Sequence, residues 1–143
     1  MELAGAGEGT TRLGGGVAVS LQRYAERHGD PVDHVYERLF ALHPETQHLF
    51  LLDRNGAARG NMLANVFAIL LDLDDEPDFA HNMIAAEVLN HVDLGVAPAT
   101  FVGFFDLLRD VVREGLGEEW RDEAADAWAL AIERAKVAAA GSI

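Results

Sequence analysis

The chain has 143 residues, half of them hydrophobic, with 24 acidic and 11 basic residues and a formal net charge of −13. This length suits one domain with its own core, and the composition is too apolar for a disordered protein. The negative charge makes nucleic acid and anionic membrane surfaces poor partners, and the absence of cysteine excludes disulfides and thiolate metal sites. Residues 1–16 lack a secretory signal pattern, so we expect a cytoplasmic protein.

The first half of the chain contains a series of helical patterns. Residues 1–16 are rich in glycine and are predicted to be a flexible tail, followed by one domain over 17–143. Apolar spacing predicts helices over 17–28 and 31–42, the second with Asp30 as N-cap and Pro31 as its first residue. A helical turn is expected over 44–50 after Pro44, and a buried helix over 57–73.

The second half continues in the same way. Helices are predicted over 79–91, 98–114 and 118–139, and Gly95 is expected to adopt a left-handed conformation in the corner before Pro98. No segment alternates polar and apolar residues with period two, so strands are not expected. The predicted fold class is all-α, with three long and several short helices packed ridge into groove.

Three motifs resemble the haem domain of flavohaemoglobins and other bacterial single-domain globins. The first is VYERLFALHPETQHLF at 35–50, which matches a tyrosine, an aromatic residue one turn later, a proline and a final phenylalanine. The second, NHVDLGVAPATF at 90–101, is similar to the family's proximal histidine and the corner after it, and the third is Asp126-Ala127-Trp128 in the last helix. The resemblance spans about 17–139 and implies a globin-like fold of about six to eight helices around a pocket for haem b.

The resemblance implies that His91 is the ligand of the haem iron. A globin needs one neutral imidazole at a helix end, with the opposite side of the iron left open. From the residues alone, the alternative is a histidine that only interacts with the helix dipole. Glu87 lies one turn earlier on nearly the same face, where its carboxylate either strengthens the imidazole as a donor or is solvated at the pocket rim.

On the opposite, distal side the resemblance places Tyr36, whose hydroxyl could donate a hydrogen bond to a diatomic ligand. The alternative is a core tyrosine bonded to a backbone carbonyl. Phe50 is expected to contact the porphyrin, and Arg59 aligns where glutamine or histidine is usual, with Ala58 left open as the equivalent position. Six further residues are expected to line the pocket: Met62, Leu63, Val96, Phe101, Phe105 and Trp128.

The implied function is reversible binding of a diatomic gas (oxygen, nitric oxide or carbon monoxide) by five-coordinate haem iron, for oxygen storage or transport, detoxification or sensing. Flavohaemoglobins have a tyrosine where this chain has Phe101, and a glutamate late in the last helix that has no counterpart here. The sequence also lacks a glycine-rich dinucleotide fingerprint, so nitric oxide dioxygenase activity would require a separate reductase. A signalling partner and a homodimer are compatible with the same pattern.

Two other functional classes were weighed against a haem globin. One is a non-haem module with a globin fold that binds another small molecule or transmits a signal. The other is a di-iron helical protein, which needs two carboxylate–imidazole pairs and two further glutamates on facing helices. Glu45 and His48 supply only one such pair, which disfavours this class.

Overall fold

The computed structural model describes residues 15–141, which form six α-helices and two 3-10 helices with no strand. In chain order these are α1 (Gly16–His28), α2 (Val32–Leu42), the 3-10 helix Pro44–Phe50, α3 (Ala57–Leu73), α4 (Ala80–Asp93), α5 (Pro98–Leu116), the 3-10 helix Gly117–Glu119 and α6 (Asp122–Ala140). The all-α prediction is confirmed. Within the described range, no helix combines the length and apolar character needed to cross a bilayer.

The helix boundaries differ from the predicted ones by small shifts with local causes. Asp30 Oδ1 accepts the backbone N–H of Val32 at 3.0 Å, so α2 begins at Val32, and Pro31 is the residue before the helix rather than its first. The last helix begins later than predicted, at Asp122, because the backbone at Trp120 is extended after the short 3-10 helix. Gly95 has φ of +90°, as the sequence predicted for the corner before α5.

The acidic stretch 72–80, which we call the capping connector, links α3 to α4 and bonds to other helices. Asp74 Oδ2 accepts the backbone N–H of Ala18 in α1 at 3.0 Å. Asp72 Oδ2 accepts the backbone N–H groups of residues 78–80 at 2.8 to 3.1 Å, where α4 begins. Arg134 of α6 donates to the carbonyl oxygen of Leu73 at 2.6 Å. The connector therefore satisfies backbone groups at helix ends that would otherwise lack partners.

Helices α1, α5 and α6 pack together at one end of the molecule, which we call the closed end. Gly16 is the first residue of α1 and not part of a tail, because its backbone lies against α6: a Cβ there would be 2.7 Å from the Cβ of Ala127. At Gly115 of α5, a Cβ would overlap the ring of Tyr24 in α1. Residues 1–14, the rest of the predicted tail, lie outside the described residues.

A tryptophan fills the space between α1 and α6. Trp128 is fully buried, and its Nε1–H donates to Ser20 Oγ at 2.8 Å. The Ser20 hydroxyl in turn donates to the carbonyl of Val17 at 2.7 Å. Each buried polar group in this chain of contacts has a partner, as a stable core requires.

Candidate cofactor pocket

A cleft opens between the 3-10 helix Pro44–Phe50, α3, α4 and the first turns of α5. About 730 Å³ of empty space lies within it, open solvent at its mouth included. The lining is largely aliphatic and aromatic: Leu39, Thr46, Leu49, Phe50, Met62, Asn65, Val66, Ile69, Glu87, His91, Val96, Thr100, Phe101, Phe104 and Phe105. The cleft therefore suits a large apolar group held by a few polar contacts.

His91 lies in the wall of the cleft near the end of α4. Its Nδ1 is 2.7 Å from the carbonyl oxygen of Glu87, and its ring meets that of Phe101 edge-on with centroids 5.0 Å apart. A carbonyl oxygen can only accept, so Nδ1 carries the proton and Nε2 keeps its lone pair. Among residues 15–141 no hydrogen-bond partner is found for Nε2. The imidazole is thus held in the tautomer and orientation that a metal ligand requires.

Glu87 combines features of both interpretations considered for it. Its Oε1 lies 3.7 Å from Nδ1 of His91, close to the imidazole but too far for a hydrogen bond. The side chain also lines the cleft and is about one third exposed, so water reaches it at the rim. The carboxylate is therefore a partly solvated neighbour of the histidine.

Tyr36 is almost completely buried behind the cleft and does not line it. Its hydroxyl donates to the carbonyl oxygen of Arg59 at 3.1 Å, and its ring packs against Phe50 and Phe104, two residues of the lining. Burial raises the pKa of the Tyr36 hydroxyl far above its ordinary value, so the group stays neutral. The geometry is that of the alternative, a core tyrosine bonded to a backbone carbonyl.

Arg59 does not line the cleft either, because it is bound to the loop before α3. Its Nε–H donates to Asp53 Oδ2 at 3.1 Å, and the same carboxylate accepts the backbone N–H groups of Ala58 and Arg59 at 2.9 and 3.0 Å. These bonds, that from Ala58 first, lower the pKa of Asp53. Neither position considered for the ligand-facing residue of α3 therefore lines the cleft. The polar side chain of α3 that does is Asn65.

Two expected lining residues belong to the core instead. Leu63 is 2% exposed and absent from the lining, whereas Met62 next to it lines the cleft as expected. Trp128 lies in the contact between α1 and α6, bonded to Ser20, and is also absent from the lining. The expectation that both line the cleft is wrong. Four other expected residues, Phe50, Val96, Phe101 and Phe105, do line it.

Sequence reasoning missed several residues of the lining. Phe104 and Val66 follow Phe101 and Met62 by three and four positions, so helical spacing places them on the same faces and could have revealed them. Asn65 and Ile69 follow Met62 by three and seven positions and share this signal. The other missed residues, Leu39, Thr46, Leu49 and Thr100, depend on how their own helices are rotated toward the cleft.

Comparison with known proteins gives two matches. The family model for globins matches residues 33–139, which run from α2 to α6 and include every helix that borders the cleft. A flavohemoprotein of Rhizobium meliloti (strain 1021) is 26% identical over 102 residues, 70% of this chain and 25% of that protein. The chain thus spans about a quarter of the length of this relative. No solved structure gives a significant match.

Proposed function

This chain belongs to the globin family, and from that premise we propose that its cleft binds haem b, with His91 as the axial ligand of the iron. The observation that carries the proposal is the geometry of His91. Its Nδ1 is bonded to the Glu87 carbonyl at 2.7 Å, and its Nε2 has no partner among the described residues. A structural histidine would gain nothing from leaving one ring nitrogen unpaired in an apolar wall.

The cleft fits the remainder of the cofactor. Porphyrin is a flat apolar ring, and the walls offer aromatic and aliphatic surfaces, among them Phe50 and, beside His91, Phe101. Burial of such surfaces contributes roughly 25 cal/mol per Å² of apolar area removed from water. When bound, haem supplies an iron with one coordination position open to a diatomic gas. The chain's own part is to hold the cofactor, orient the imidazole and exclude water.

We propose reversible oxygen binding as the activity, with nitric oxide and carbon monoxide as competing ligands. Among the described residues, the lining contains no second histidine, which favours five-coordinate iron. Tyr36 can act on the gas ligand only if its hydroxyl leaves the Arg59 carbonyl and donates to the ligand instead. The hydrogen bond from Tyr36 to this carbonyl, at 3.1 Å, competes with that role. A separate electron-donating protein in the cytoplasm would return oxidised iron to the ferrous state, and any nitric oxide dioxygenase activity would depend on that protein.

The decisive experiment is an absorption spectrum of protein purified with excess haemin, reduced, with and without carbon monoxide. We expect a sharp, shifted carbonyl Soret band from the wild type and its loss in His91→Ala. The matched control is His81→Ala, which removes an exposed histidine near the start of the same helix and should leave the band unchanged. A colourless wild type would instead favour a non-haem binding or signalling module, and an unchanged band in His91→Ala would exclude this ligand.

A further inference from the structure

Glu87 is the one acidic residue in the lining of the cleft, and it approaches His91 with two different groups. Its backbone carbonyl accepts the proton on Nδ1 at 2.7 Å, and its carboxylate Oε1 lies 3.7 Å from the same nitrogen. One residue therefore presents both a neutral and a charged acceptor to one imidazole proton.

The surroundings leave the Glu87 carboxylate with few other interactions. No lysine or arginine among the described residues forms an ion pair with it, although arginines and Lys136 pair with acidic residues elsewhere in the structure. About two thirds of the side chain is withdrawn from solvent, which is costly for a charged group without a partner. Within residues 15–141, the ion-pair partner found for this carboxylate is the ring of His91, whose Nδ1 lies 3.7 Å from Oε1.

We propose that Glu87 is a positioning residue that makes His91 a stronger electron donor to the haem iron. This inference rests on the proposed haem binding. A negative charge near the N–H of an imidazole draws the proton away from the ring, and the opposite nitrogen becomes a better ligand. A stronger donor stabilises the ferric state relative to the ferrous state. The residue acts through His91 and touches neither the iron nor its gas ligand.

The competing explanation is that Glu87 is a rim residue whose charge is screened by water. A charge that acts directly on the iron, and not through His91, would shift the reduction potential without altering the bond between His91 and iron. The two explanations therefore differ in the iron–histidine stretching vibration, which reports the strength of that bond directly.

The test uses haemin-loaded wild type, Glu87→Gln and Glu87→Leu. Removal of a second-shell partner typically changes metal-site properties by 10- to 100-fold. In both variants we expect the equilibrium for reduction to shift toward ferrous iron about tenfold, which is about 59 mV for one electron. The iron–histidine frequency of the ferrous protein, measured by resonance Raman spectroscopy, should fall in the same variants. Glu87→Gln keeps the shape of the side chain, so it decides the question if Glu87→Leu does not fold.

The matched control is Asp93→Asn, which removes an exposed negative charge at the end of the same helix. In Asp93→Asn, the iron–histidine frequency and the reduction potential should both change less than in the Glu87 variants. A higher potential with an unchanged frequency in Glu87→Gln would overturn the proposal in favour of a charge that acts directly on the iron. Unchanged values of both would overturn it outright while the Soret band still supports haem binding. A wild type without a Soret band would remove the proposed function and this inference together.

Discussion

The two ends of α5 lie in regions that are built in opposite ways. At its end, Gly115 lets α1 approach so closely that a single added carbon would overlap Tyr24. At its beginning, Phe101 and Phe105 line the open cleft. The chain thus has its smallest residue where the helices close and large aromatic residues where space remains. Since tight packing is the rule in protein interiors, the open end indicates a place for another molecule.

The largest effect is expected at the closed end, from Trp128→Ala. The side chain is fully buried, so its removal should lower the free energy of unfolding by about 3–5 kcal/mol and leave Ser20 without its indole partner. Urea denaturation measures this loss. Trp120→Ala is the control, because Trp120 is only partly buried beside Trp128 and should cost less. Equal losses would contradict the assignment of Trp128 to the closed core.

Haemin should stabilise the open end in particular. A ligand at one hundred times its dissociation constant stabilises the native state by about 2.7 kcal/mol. Hydrogen exchange should slow most in residues 44–50 and in α4 and least in α1, which does not border the cleft. His91→Ala should show little slowing at the same haemin concentration. Equal slowing in every helix, or the largest in α1, would contradict the difference between the two ends.

Within α5, two glycines allow a matched comparison. Gly115→Ala should destabilise the protein by about 1–3 kcal/mol, because the added methyl group overlaps the Tyr24 ring. Gly103→Ala has open space around its Cβ and should instead stabilise the helix by about 1 kcal/mol. Thermal or urea unfolding measures both. A stabilising Gly115→Ala would show that α1 and α5 can move apart at little cost.

Tyr36→Phe tests whether the Tyr36 hydroxyl bonds only within the core or also reaches a ligand in the cleft. Loss of one hydrogen bond with a net value of about 0.5–1.5 kcal/mol corresponds to a factor of roughly 2–10 in a rate or equilibrium. If the hydroxyl exchanges from the Arg59 carbonyl to the ligand, oxygen should dissociate faster from the variant by that factor, as stopped-flow mixing measures. An unchanged dissociation rate together with lower stability would place the hydroxyl permanently on the Arg59 carbonyl.

The smallest effect is expected at Asp53, in the loop before α3. Hydrogen bonds from Ala58 and Arg59 lower the pKa of this carboxyl in the folded state. Its contribution to stability is therefore complete above its ordinary pKa of about 3.9 and is lost as pH falls through the lowered value. The stability difference between wild type and Asp53→Asn should be constant at neutral pH and shrink below about pH 4. A difference that persists unchanged to lower pH would contradict this assignment.

The sequence predicted the helices well because its strongest signals are local. Pro44 and Pro98 restrict the backbone and Gly95 permits a positive φ, and the elements begin or end beside these residues in the structure. The start of α6 was less predictable, since the extended backbone at Trp120 interrupts a stretch with no proline and only one glycine, Gly117. Tertiary contacts determine the start of α6 more than any local sequence preference does.

The pocket was predicted only in part, for a reason that concerns helix rotation. His91 was identified because residues 90–101 resemble the proximal histidine and corner of globins, and Glu87 because it lies one helical turn before His91. On α3, apolar residues occur on both sides, so the spacing alone could not decide whether Met62 or Leu63 turns toward the cleft. Likewise the sequence could not show that Arg59 is held by Asp53, since that bond depends on the path of the intervening loop.

The hydrogen bonds of the capping connector make this stretch unsuited to insertion or cleavage. Asp74 bonds the start of α1, while Asp72 bonds the start of α4 across the same short loop. A single cut by a protease between residues 74 and 79 would place Asp72 and the start of α4 on different fragments, and would leave Asp74, which bonds α1, close to a new chain end. Polar surface loops usually tolerate added residues, so a fusion or a circular permutation would ordinarily be designed there. In this protein the loop 51–56 is a better place for added residues than the capping connector, provided that the bonds of Asp53 to α3 are kept.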